Sequence, residues 1–267
     1  GLLAARDRSA PRLALLSSPA ALALRGERAG LLAWLAGIGI FAFVIGSLAT
    51  TVSDAGISAD LEREIQKVGG SAITTPTGYI GLTFLFFVLG LSLFACSQVA
   101  AARREELAQR LETLFALPVA RRDWLAGRVA LAAAATAVLA LATGALAWAG
   151  AVSQGADVSF LRMLEAGANC LPAALLFGAL GALALATLPR PSAGIAYGLV
   201  AVAFVWELLG AMLGAPAWTL ALSPFHHVGL VPSEPFRAVA ALVMLALAGA
   251  AALAAAWAFR RRDLSSA

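Results

Sequence analysis

Six apolar runs set the terms for what this chain can become: Leu31 to Thr51, Gly78 to Ala102, Val129 to Val152, Ala168 to Leu188, Ala193 to Leu213 and Phe236 to Phe259. Each is long enough to cross a hydrocarbon core of about 30 Å as a helix, which takes roughly 20 residues. Composition agrees, because 61% of the residues are hydrophobic and only 13% are charged, where a soluble domain carries about 25%. The expected fold is therefore all-α, a polytopic membrane protein with six transmembrane helices. A leader (residues 1–30) precedes a six-span domain (31–259), and a short tail (260–267) follows it. Only Pro189 to Ser192 separate the fourth run from the fifth, which forces those two spans into an antiparallel hairpin.

The placement of the basic residues predicts orientation. With both ends cytoplasmic, the inner side receives the arginines from Arg6 to Arg28, those from Arg103 to Arg128, Arg190, and Arg260 to Arg262, fifteen of the nineteen basic residues. Arg63, Lys67, Arg162 and Arg237 fall outside. This asymmetry is a positive-inside signal for a multi-pass cell-membrane protein. It also explains the net charge of +4 without nucleic acid, since the arginines flank apolar runs. The leader has no apolar core followed by a small-residue cleavage site, so a signal peptide is not expected. Its second half can form an interfacial helix from Ser18, with Pro19 at the first position, or remain a tail entering the first span.

The inner connection between the second and third runs, RREELAQRLETLFALPVARRDWLAGR from Arg103 to Arg128, is both charged and patterned. Leu107, Leu111, Leu114 and Phe115 recur at helical spacing on one stripe, while Glu105, Glu106, Gln109, Arg110 and Glu112 take the other faces. Pro118 ends that helix at about Leu117. A short amphipathic helix on the cytoplasmic surface is expected. It is either a connector or a surface that a partner covers.

Several chemistries have no residues to carry them. No span contains the histidines that an intramembrane metalloprotease needs, or a nucleophile with its base, and no glycine loop with a lysine could cradle a phosphate. No catalytic residue and no metal site is expected, and the chain is not read as an enzyme. His226 and His227 stand in the outer loop Ala215 to Pro235 with only Glu234 to help, so an interfacial structural role is favoured over a metal. That loop, rich in proline and aromatics, suits an external cap packed against protein. Cys96 and Cys170 read as small buried hydrophobes. Glu207 is the one acid within a span, where a charge costs roughly 3 kcal/mol on insertion scales, so it should face protein or water. It either lines a substrate path or makes an interhelical polar contact.

A six-span protein with no catalytic group and a patterned cytoplasmic helix is one driven from outside itself. The stretch from Glu105 through Glu112, Pro118, Val119, Arg121, Trp124, Leu125 and Gly127 resembles the cytoplasmic segment of type-two ABC exporter permeases. LSPFHHVGLVP before the last span and FRRRDL, Phe259 to Leu264, are similar to actinobacterial drug and polyketide-antibiotic exporter permeases of the tetronasin type. Gln109 and Ala120 depart from the pattern, where Gly and a capping Ser are frequent. The leader resembles the junction inside double-length members, so the chain looks like the C-terminal six-span half.

The resemblance implies a permease component that exports hydrophobic, drug-like small molecules. ATP and Mg would be bound by a separate nucleotide-binding subunit, with no cofactor on this chain. The docking (coupling) helix would comprise Glu105, Glu106, Leu107, Arg110, Leu111, Glu112, Leu114, Phe115, Pro118 and Arg121. Its partners would be that ATPase subunit, a second six-span half and membrane lipid. The rival readings are a proton-coupled secondary transporter working through Glu207 and a membrane assembly factor without transport. No convincing internal repeat supports the first of these.

Overall fold

The computed structural model describes residues 19–55, 75–107 and 121–261. Among them the chain forms helices α1 (Pro19–Ser47), α2 (Ala49–Ala55), α3 (Pro76–Leu107), α4 (Arg121–Ser153), α5 (Phe160–Asn169), α6 (Leu171–Thr187), α7 (Ser192–Met212), α8 (Ala217–Leu220), a 3-10 turn (Pro224–His227) and α9 (Ala238–Arg261). Six helical segments are long and apolar enough to span a membrane: Ala23–Ser47, Pro76–Leu107, Asp123–Ser153, Phe160–Thr187, Ser192–Gly210 and Ala238–Arg261. The expected all-helical, six-span architecture is observed.

The boundaries differ from the apolar runs in an instructive way. α1 begins at Pro19, whose fixed φ suits a first helical position, and continues unbroken into the first span. α3 and α4 reach past their apolar runs to Leu107 and back to Arg121. At 1.5 Å per residue a helix of this kind is about 48 Å long, so both project beyond a hydrocarbon core at the end that carries the arginines. The fourth span is broken in two. α5 is amphipathic, with Met163, Ala166, Gly167 and Asn169 buried, and it hands over to α6 at Cys170, just before Pro172. Proline has no N–H for the preceding turn, which places the break there.

α3 and α6 form the centre, and their neighbours turn large apolar side chains outward. Val202, Val239 and Leu253 are each at least 70% exposed, which suits helices bathed in lipid rather than water. Crossings between helices are built on glycine. A Cβ on Gly150 would strike the Phe43 carbonyl, and one on Gly46 would strike the Ala147 carbonyl, so α1 and α4 touch backbone to backbone. Gly144 and Gly167 do the same for α4 and α5, against Met163 and Ala140. Helices in lipid gain little from hydrophobic burial between them, so close approach through small residues is what holds them. The buried hydroxyls of Ser92, Thr136 and Thr143 donate to carbonyls one turn earlier, at 2.7, 2.7 and 2.8 Å. Both cysteines are buried and free.

At the end opposite the arginine-rich one, residues 215–237 fold back over the bundle as the proline-rich composition predicts. Phe225, 1% exposed, sits against Phe177 and Phe204 at ring distances of 5.4 and 5.3 Å. Asn169 donates to the Gly229 carbonyl at 2.7 Å. Arg162 of α5 donates to the carbonyls of Pro232 and Glu234, at 3.0 and 3.2 Å, and pairs with Glu165. These bonds satisfy backbone that would otherwise be costly to bury.

Candidate functional site

The arginine-rich end is organised by one buried ion triad. Arg128 lies two turns into α4, flush with the apolar run, where an unpaired guanidinium would be expensive. Its Nη1 donates to Glu27 of α1 at 2.5 Å, and its Nη2 stands 2.6 Å from a Glu105 oxygen at the end of α3. The Arg128 side chain is 8% exposed. The triad therefore joins the helix that enters the bundle to both helices flanking the 108–120 connection. Beside it, Trp124 stacks on Phe259 with ring centroids 5.5 Å apart, and Leu125 is buried, which fixes the start of α4 against the end of α9.

Docking residues named from the sequence fall into three groups. Glu105 and Glu106 lie in the last turn of α3 with their carboxylates in ion pairs, Glu105 with Arg128 and Glu106 with Arg103 at 3.1 Å. Leu107, the last residue of α3, is 57% exposed. Arg121 opens α4. Arg110, Leu111, Glu112, Leu114, Phe115 and Pro118 lie outside the described residues. Glu27 and Arg128 were not singled out as a pair by sequence reasoning, since they are far apart in the chain. Their signal was a charge set flush against an apolar run, which demands a partner.

Glu207 is near the capped end of α7, in a span that ends at Gly210, rather than at mid-depth. Its Oε1 is 3.2 Å from His226 Nδ1 in the 3-10 turn, and its Oε2 is buried without a hydrogen-bond partner. The contact runs from a helix to the cap, not between two spans. The His227 ring donates to the Ala221 carbonyl at 2.8 Å, and Arg237 donates to the His226 carbonyl and pairs with Glu234. Thus both histidines are engaged in holding residues 217–237 in place. No group of three His, Cys, Asp or Glu that could share a metal gathers among the described residues.

Comparison with known proteins places this arrangement. Residues 16–260 match the family described as the multidrug efflux system permease Rv1217c, C-terminal domain. The multidrug efflux system permease protein Rv1217c of Mycobacterium tuberculosis (strain ATCC 25618 / H37Rv) is 32% identical over 267 residues. That likeness covers 99% of this chain and 48% of the relative, so the chain spans about half the relative's length. The match takes in all six spans, the triad and the cap, and the chain belongs to the family of the Rv1217c-type multidrug efflux permease C-terminal domain.

Proposed function

We propose that this chain is a membrane-spanning permease unit of an ATP-driven exporter of apolar small molecules. Both termini and the Arg103–Arg128 connection would be cytoplasmic. The observation that carries the reading is the family match across the whole six-span bundle, 16–260, to an efflux permease domain. The chain covers half of its relative, which supports a second six-span half as its partner. A separate nucleotide-binding subunit would bind ATP and Mg and dock on the connection between α3 and α4. The permease would then contribute two conformations whose balance shifts when that subunit closes, and no chemistry of its own.

Reconstitution in sealed vesicles tests this. Chain, second half and nucleotide-binding subunit together should move a fluorescent hydrophobic drug when ATP is supplied, and an imposed proton gradient alone should not move it. Transport driven by the gradient without ATP would replace the motor with a secondary carrier.

Glu207 separates the same two readings by mutation. Its bond to His226 supports a structural part in the cap, which glutamine can also play. Glu207→Gln should cost no more than the roughly 1 kcal/mol of an ordinary hydrogen bond and leave ATP-driven export within about twofold of the parent. A variant that is folded and expressed yet exports nothing would instead assign Glu207 to the transport path.

A further inference from the structure

A groove of about 280 Å³ runs between α1 and α4 toward the arginine-rich end, lined only by leucine, alanine and valine. Leu139, 3% exposed, is its floor, and Leu32 and Val138, at 63% and 60%, are its rims. It is therefore open to whatever surrounds the bundle. From Leu131 to Leu139 it follows two turns of α4, about 12 Å, of the roughly 15 Å that one leaflet contributes to a 30 Å core. Arg28 lies four residues after Leu24 and four before Leu32, both of which line the groove, so the three share one side of α1. It is exposed, and a long side chain on a helix leans toward the helix N-terminus, which for α1 is the arginine-rich end.

The charge of Arg28 is what distinguishes this groove. Arg103, Arg128, Arg162 and Arg237 each meet a carboxylate of the same chain. No hydrogen bond or ion pair joins the Arg28 side chain to another of the described residues, and the neighbouring Glu27 is taken by Arg128. A guanidinium at the edge of an apolar run, beside a groove one hydrocarbon chain wide, calls for an anion that carries hydrocarbon. Free phosphate would answer the charge and leave the groove empty, and an uncharged apolar molecule would fill the groove and leave the charge. We propose that this groove seats one anionic phospholipid, with its headgroup phosphate on Arg28 and one acyl chain along Leu139. Arginine suits the headgroup because its planar N–H donors match phosphate oxygens. The site lies within one six-span unit, and its occupancy does not depend on the exporter reading or on ATP.

Photolabelling of the purified full chain in detergent tests the proposal. The probes are phosphatidylglycerol and phosphatidylcholine with identical acyl chains, each carrying a diazirine in mid-chain. Phosphatidylglycerol should label peptides of α1 and α4 saturably. It should half-saturate at about fivefold lower concentration than phosphatidylcholine, the effect expected of one arginine on an acidic lipid. Arg28→Gln should abolish that preference and Arg28→Lys should keep it, since either cation pairs with phosphate. Arg28 is exposed, so neither change threatens the fold. Ala134→Trp supplies a second variant that leaves the charge intact. Ala134 lines the groove and is exposed, so an indole there fills the space without parting the helices, and labelling of α1 and α4 by both lipids should fall to background. Equal half-saturation by the two lipids in the parent, a preference that survives in Arg28→Gln, or undiminished labelling of a folded Ala134→Trp chain would overturn it. So would protection of α1 and α4 from both lipids by a bound second six-span half, which would give the groove to that partner.

Discussion

Replacing Arg128 with leucine should destabilise the chain by about 3–5 kcal/mol, the cost of breaking a buried ion pair by removing one member. Two carboxylates, Glu27 and Glu105, would be left facing each other with little water to solvate them, since their side chains are only 16% and 26% exposed. Thermal unfolding in detergent reads this directly. The same change made together with Glu27→Gln and Glu105→Gln should recover much of the loss, because a neutral cluster no longer carries uncompensated charge. If the triple variant were as unstable as the single one, the triad would not be the source of the effect, and the packing of the Arg128 stem would be.

Gly150→Leu should do at least as much damage by a different route. The new side chain would be built into the Phe43 carbonyl of α1, and a backbone atom in a helix cannot swing aside as a side chain can. The two helices would have to separate along a crossing where Gly46 faces Ala147 in the same way. Overpacking a core usually costs about 1–3 kcal/mol; here the obstacle is main chain, so the outcome should be loss of the monodisperse species in size-exclusion chromatography. Gly37→Leu is the control. It lies on the same α1, is exposed, and a Cβ there meets nothing within 4 Å, so the variant should behave like the parent. Comparable loss in both would mean that leucine in α1 or α4 is harmful for reasons unrelated to the crossing.

The spans were legible because their signal is local. Length and hydropathy of a run suffice to identify a membrane helix, and the Pro189 to Ser192 turn suffices to pair the fourth with the fifth. Where the reading stopped short, the missing information was a partner distant in the chain. The first apolar run starts at Leu31, after Arg25, Glu27 and Arg28, yet Glu27 pairs with Arg128 and α1 runs through. The second run ends at Ala102, but Arg103 and Glu106 pair along the helix, which continues to Leu107. The break at Cys170 has its signal in Pro172 inside the fourth run, whereas the close approach of Gly144 and Gly167 that seats α5 against α4 has none. The sequence marks Glu207 as an acid that must face protein or water, and places His226 in the outer loop. Only the fold of the cap brings them to 3.2 Å.

An external motor, if the proposed function holds, takes hold on the connection between α3 and α4. Leu111 and Phe115 stand at helical spacing in the sequence of that connection, and each should contribute about 1.5–3 kcal/mol if a partner covers it and almost nothing if it faces water. The measurement is retention of the nucleotide-binding subunit by the membrane-inserted chain carrying both Leu111→Ala and Phe115→Ala, beside the parent and with insertion verified for each. The double variant should insert normally, lose the subunit at least a hundredfold in affinity, and no longer export. Full retention of the subunit together with full export by the double variant would contradict it and leave the connection a loop between two spans.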